Sequence, residues 1–122
     1  MKHTLLADGC IVEEVQCEKA VIGVRSIIKA GARIEETVIL GADFYPSEAD
    51  KAQDERAGRP PIGIGRNVKI RRAIIDKNAR IGDNVVIENH QRLQHHDAPN
   101  YNIRDGIVIV PKNETIPAGT VI

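Results

Sequence analysis

A six-residue repeat governs what this chain can become. From Ile64 to Ile87 the sequence reads IGRNVKIRRAIIDKNARIGDNVVI, with Ile64, Ile70, Ile75, Ile81 and Ile87 opening successive hexads and Val68, Ile74, Ala79 and Val85 at or near the fifth position. The fifth position of one hexad and the first of the next are two residues apart, which is strand parity, and Gly, Asp or Asn interrupts the runs. Such a pattern specifies short parallel strands joined by tight corners and wound as a solenoid. The step from Ile70 to Ile75 is five residues instead of six, marking a shortened corner that holds the basic pair Arg71 and Arg72.

The repeat recurs on both sides. Leu6 to Val12 gives one hexad, with Cys10 at the small fifth position. After a slip through EEVQCEK, where Gln16 falls at an aliphatic position, Ile22, Ile28, Ile34 and Leu40 follow at intervals of six, with Ser26, Ala32 and Val38 at the fifth positions. Val110, Ile116 and Ile122 resume it at the carboxyl end, with Pro111 and Pro117 at corners. An amphipathic helix would need apolar residues three and four apart, so strands are expected. Phe44, Tyr45 and Tyr101 are the only aromatic residues, which suits a solenoid that stacks aliphatic side chains in rows better than a mixed globular core.

Two interruptions carry the polar residues. About 41–63 the chain is charged, with Pro46 near the start, Pro60 and Pro61 near the end, and SEADKAQDERA between them, a segment expected to form a helix or a mobile arm. Such an insertion is either a functional or assembly element or a disordered excursion, and Phe44 with Tyr45 suggests that its first part packs on something. The second interruption, about 88–105, holds His90, His95 and His96. Neither end carries an atypical capping repeat, so the chain is expected to be cut from something larger or to assemble.

Seventeen Lys plus Arg balance seventeen Asp plus Glu, so the global charge points to neither nucleic acid nor an acidic membrane surface, and any anion site must be local. Cys10 and Cys17 do not make a secreted disulfide scaffold, and Cys10 is read as a packing residue. With no signal peptide, membrane-length apolar span or lipidation motif, a cytoplasmic, reducing compartment is expected.

The strings IGVRSII, LGADFY, PPIGIG, RRAIIDKNARIG and GIVIVPKNETIPAGTVI closely resemble the carboxyl-terminal domain of ADP-glucose pyrophosphorylase (glucose-1-phosphate adenylyltransferase), with the plant and cyanobacterial type nearest. The likeness runs from about Leu6 to Ile122. It implies an all-β fold, a left-handed parallel β-helix forming one domain over residues 1–122 with the two insertions, that follows a catalytic nucleotidyltransferase domain. In that family the β-helix contributes to tetramer assembly and to a site for phosphorylated effectors, 3-phosphoglycerate and inorganic phosphate, in ADP-glucose synthesis for glycogen or starch. A plant source would imply the plastid.

The family's effector lysines match Lys77 in AIIDKNARIG and Lys112 in VIVPKNETIP. Each follows an aliphatic hexad position closely, so each falls near a corner where its ammonium can leave the stack, and a phosphate takes several cationic donors. Arg71 and Arg72 are expected to add to that patch. The glycine-rich nucleotide loop and catalytic residues of the family's other domain have no counterpart here, because Gly63 to Gly65 belongs to the repeat. The chain alone is therefore not expected to transfer an adenylyl group, and neither a cofactor nor a metal is expected.

Two other classes share the solenoid. Left-handed β-helices also form homotrimeric acyltransferases that use histidine as general base, a role open to His90, His95 or His96, and a β-helix can serve as a scaffold alone. A zinc site like that of trimeric β-helical carbonic anhydrases would need His3, from the other end of the chain, beside His90 and His95, while His96 in an extended segment points away from His95. A metal ligand set is not expected.

Overall fold

The structure is a computed structural model that describes residues 1–122. Short strands stack into three sheets as the chain winds. The first contains Leu5–Leu6, Val21–Ile22, Val38–Ile39, Ala73–Ile75 and Ile107–Val110; the second contains Ile11–Val12, Ile27–Ile28, Gly63–Ile64, Arg80–Ile81 and Thr115–Ile116. The third contains Gln16–Glu18, Arg33–Glu35, Lys69–Arg71 and Val86–Ile87. All these pair in parallel; Gln16 opposite Arg33, Val21 opposite Val38 and Gly63 opposite Arg80 give a regular coil of seventeen residues, while Leu5 opposite Val21 and Ile11 opposite Ile27 make the first coil one residue shorter. This is a parallel β-helix.

The aliphatic rows expected from the hexads fill its interior. Ile22, Ile28, Ile34, Ile70, Ile75, Ile81, Ile87 and Ile116 are each at most 2% exposed, which at about 1.5–3 kcal/mol per buried side chain makes the stacked rows the main source of stability. Polar residues at the small inward positions satisfy themselves locally: the Ser26 hydroxyl donates to the Gly23 carbonyl and the Thr37 hydroxyl to the Glu35 carbonyl.

Seventeen residues per coil requires two six-residue faces and one of five, and this corrects the spacing expected between Ile34 and Leu40. Ile39 enters the core at 4% exposure and Leu40 is 39% exposed, with Thr37 rather than Val38 at the small inward position. The same short corner puts Ala73 in the core instead of Ile74, and Cys17 in place of Gln16. At these corners the residue that turns the chain is Lys19, Glu36, Arg72 or Asn89, each with φ between 47° and 53°.

Both insertions are ordered. The first contains a helix, Glu48–Ala57, begun by a reciprocal capping box between Ser47 and Asp50 and ended by Gly58 at φ 67°. Its buried Asp54 is held by Arg59 at 2.7 Å and by Arg80 at 2.8 Å. The second insertion forms two strands, His95–Asp97 and Asn102–Arg104, that add antiparallel to Ile107–Val110 and extend the first sheet past the last coil. Ile103, 1% exposed, packs into the core from there.

Candidate functional site

The corner between the first and second sheets repeats one local shape. The third residue after the inward aliphatic adopts a left-handed conformation in Arg25 (φ 55°), Asn78 (φ 60°) and Asn113 (φ 65°), and Asn tolerates it better than most residues. The residue before that left-handed turn is Lys77 in one coil and Lys112 in the next. Backbone bonds stack the two corners directly, the Asn113 N–H donating to the Lys77 carbonyl at 3.0 Å and the Asn78 N–H to the Gly41 carbonyl at 3.1 Å. Gly41 is required there, because at φ 93° a Cβ would lie 2.1 Å from the Val24 carbonyl oxygen.

The two lysines, far apart in sequence, meet at one carboxylate. Lys77 Nζ lies 3.4 Å from Asp43 Oδ1, and Lys112 Nζ lies 3.8 Å from Asp43 Oδ2. Asp43 opens the first insertion and is fixed by Asn78: the Asp43 N–H donates to Asn78 Oδ1 at 2.9 Å, and Asn78 Nδ2 donates to Asp43 Oδ2 at 3.0 Å. The Asn78 hydrogen bond, opposed by partial desolvation and joined by Lys77 and Lys112, holds the Asp43 carboxyl below the usual carboxylate range, so it is an anion at neutral pH. Lys77, Lys112 and Asp43 are each about half exposed, leaving the ammonium groups open to solvent on one side.

Asp43 and Asn78 escaped the sequence reading, although a signal existed. The signal lay in Asn78, a turn-forming residue beside Lys77; Asp43 sits in the corner one coil before, but the first insertion falls between them, so seventeen-residue stacking does not align it with that column.

Arg71 and Arg72 are not brought to this cluster. They precede strand Ala73–Ile75 while Lys77 follows it, and each pairs with the coil before: Arg72 Nε to Glu36 Oε2 at 3.1 Å, Arg71 Nε to Glu35 Oε2 at 4.0 Å. The Arg72 hydrogen bond is the main reason the Glu36 carboxyl is held low. Both arginines also line an open pocket of roughly 570 Å³ with Glu88, His90, Arg92 and Asp105. Its lining carries three guanidinium groups, Arg71, Arg72 and Arg92, against two carboxylates, Glu88 and Asp105, while Glu35 and Glu36 pair with Arg71 and Arg72 from the coil before.

His95 and His96 lie on the exposed strand His95–Asp97: His95 Nε2 is 3.8 Å from Asp105 Oδ1, and the His96 ring is 6.0 Å from that of Tyr101. No group of three His, Cys, Asp or Glu side chains is placed to hold a metal ion. No helix is long and apolar enough to cross a membrane.

A family model described as the GLGC left-handed parallel beta-helix domain matches residues 1–121. The chain is 48% identical over 124 residues to glucose-1-phosphate adenylyltransferase large subunit 1, chloroplastic/amyloplastic, of Zea mays, covering 100% of this chain and 24% of that protein. It is 47% identical over 121 residues to the chloroplastic/amyloplastic small subunit of Triticum aestivum, covering 98% of this chain and 26% of that protein. With a small subunit of Zea mays it shares 47% over 122 residues, 98% of both sequences. The chain thus spans about a quarter of the length of the first two relatives and nearly all of the third.

Proposed function

The chain belongs to the GLGC left-handed parallel β-helix family, which its adenylyltransferase relatives share, and on that premise we propose that it is the regulatory and oligomerisation module of a glucose-1-phosphate adenylyltransferase. In this reading it works beside a catalytic nucleotidyltransferase domain in a homo-oligomer that makes ADP-glucose for glycogen or starch. It resides in the cytoplasm, or in the plastid if the source is a plant. Its ligand is a phosphorylated metabolite or inorganic phosphate, bound by Lys77 and Lys112.

The observation that carries the reading is the convergence of these two ammonium groups on one carboxylate from adjacent coils. Two lysines with spare donors, held by stacked corners of a rigid solenoid, suit the several oxygens of a phosphate. Arg71 and Arg72 serve the solenoid instead, through their pairs with Glu35 and Glu36. Joined to a catalytic nucleotidyltransferase domain, Lys77→Gln and Lys112→Gln are expected to keep basal adenylyl transfer while raising the half-saturating effector concentration about tenfold or more each, the scale of a lost charged hydrogen bond. An unchanged effector response in both variants would sink the assignment.

A further inference from the structure

We propose that Asp43 is a built-in counter-ion of the Lys77–Lys112 pair, which competes with phosphate oxygens and holds the affinity of the site down; the inference rests on the phosphate-site reading above. Three observations lead to it. First, the carboxylate divides its oxygens between the two ammonium groups, Oδ1 toward Lys77 and Oδ2 toward Lys112, so both cations are engaged before any ligand arrives. Second, the separations of 3.4 and 3.8 Å exceed the roughly 2.7–2.9 Å of a tight charge-assisted bond, so each ammonium keeps donors free for other oxygens. Third, Asp43 is tied to the fold through Asn78 in both directions, at 2.9 and 3.0 Å, rather than through the lysines.

The third point decides how a ligand meets the site. Asn78 is 7% exposed and its corner is stacked between two others, so the carboxylate it grips stays in place when an anion binds. The lysines are the mobile partners, with long side chains about half exposed. An incoming phosphate draws the ammonium groups toward itself, yet remains close to a fixed negative charge. Two positive charges opposed by one negative give a site that answers only to high phosphate concentration, and the fixed charge sets that threshold. The chemistry is shared by inorganic phosphate and by a phosphate monoester on a small acid, since both present the same oxygens.

Removing one unit charge a few ångströms from the ligand, between the water and protein-surface limits of screening, is expected to tighten binding about tenfold. The test titrates the 122-residue chain with inorganic phosphate at fixed ionic strength, following the amide resonances of Lys77, Asn78 and Asn113, for the wild type and for Asp43→Asn, Asp43→Ser, Lys77→Gln and Lys112→Gln. Asp43→Asn keeps an acceptor for Asn78 Nδ2 and so preserves the corner, and Asp43→Ser supplies a second neutral variant if the first does not fold. The expected result is a dissociation constant about tenfold lower in either neutral variant and higher in both lysine variants. Phosphate binding by a neutral variant where the wild type shows none supports the proposal equally. Unchanged or weaker binding in both neutral variants, with the lysine variants impaired, overturns the counter-ion role and leaves the phosphate site standing. If the lysine variants bind as the wild type does, or no form binds, the site itself is wrong and the counter-ion falls with it. Repeating the titration with 3-phosphoglycerate separates the two ligand sources: a larger gain for one of them identifies which the fixed charge opposes.

Discussion

Asn78 ties backbone geometry to the charge arrangement. It adopts φ 60°, is almost wholly buried, and uses its side-chain amide in both senses toward Asp43. Two separable contributions follow, a left-handed backbone that costs most residues about 1–2 kcal/mol and a pair of hydrogen bonds of about 1 kcal/mol each. Asn78→Ala forfeits both and is expected to destabilise the chain by about 3 kcal/mol, whereas Asn78→Gly keeps the backbone conformation accessible and loses less. Denaturant melts of the two variants check this, and equal losses would mean that the backbone contributes nothing. The residue scale also shows why the corners were only partly readable. At six-residue corners the left-handed position is mostly filled by a visible turn marker, Gly31, Asn67, Asn78, Asn84, Asn113 or Gly119, with Arg25 the exception. At the five-residue corners Lys19, Glu36 and Arg72 do the same work without advertising it, so Leu40 and Ile74 were assigned inward places that belong to Ile39 and Ala73.

At the scale of elements, the first insertion is an outward loop converted into a fixed one by a single buried carboxylate. Ser47, Asp50 and Gly58 cap the helix, and its polar sequence gives it almost no apolar face, so capping and charge must dock it. Burial works to raise the Asp54 pKa, but the hydrogen bonds from Arg80 and Arg59 outweigh it and the net shift is downward. A carboxyl with a depressed folded pKa contributes stability that is present above its unfolded value, about 3.9, and is lost as pH falls through the folded value. The helix should therefore detach in acid before the solenoid melts. Asp54→Asn is expected to release it at neutral pH at a cost of about 3 kcal/mol, because Arg59 and Arg80 then face no charge. Amide exchange reads this directly: residues 48–57 become fast while Ile70 and Ile81 stay protected, and slow exchange across the helix in the variant would show that the clamp is dispensable. The helix was legible because SEADKAQDERA combines caps with good helix formers, leaving only helix or mobile arm to choose between. The hairpin in the second insertion was not, since HHD and NIR show no apolar alternation and only Ile103 is buried.

For the whole molecule, the solenoid is a stack in which each coil touches its neighbours, and stability is set by how many neighbours a coil has. The two ends differ. The coil that begins the chain has a neighbour on one side only, and its Leu5, Leu6 and Ile11 are 71%, 50% and 54% exposed. At the other end Ile103 and its hairpin pack against the last coil, and Val108, Val110 and Ile116 show no exposure at all. Opening should therefore start at the first coil and move inward, with the amides of Ile11 and Gln16 exchanging through local fraying and those of Ile81 and Val108 only through global unfolding. Two core truncations then separate by position. Ile70→Ala removes a fully buried side chain in the middle of the third sheet and is expected to lower global stability by about 3 kcal/mol, seen as equal acceleration of exchange at Ile81 and Val108. Cys17→Ala, in the strand nearest the open end, should accelerate exchange at Gln16 and Arg33 while leaving Ile81 and Val108 unchanged. Uniform acceleration by both substitutions would mean that the coils unfold as one cooperative block. In that case a charge removed at Asp43 would also be felt at both ends of the stack, and the corner column would have to be read as part of a single rigid body rather than as a local site.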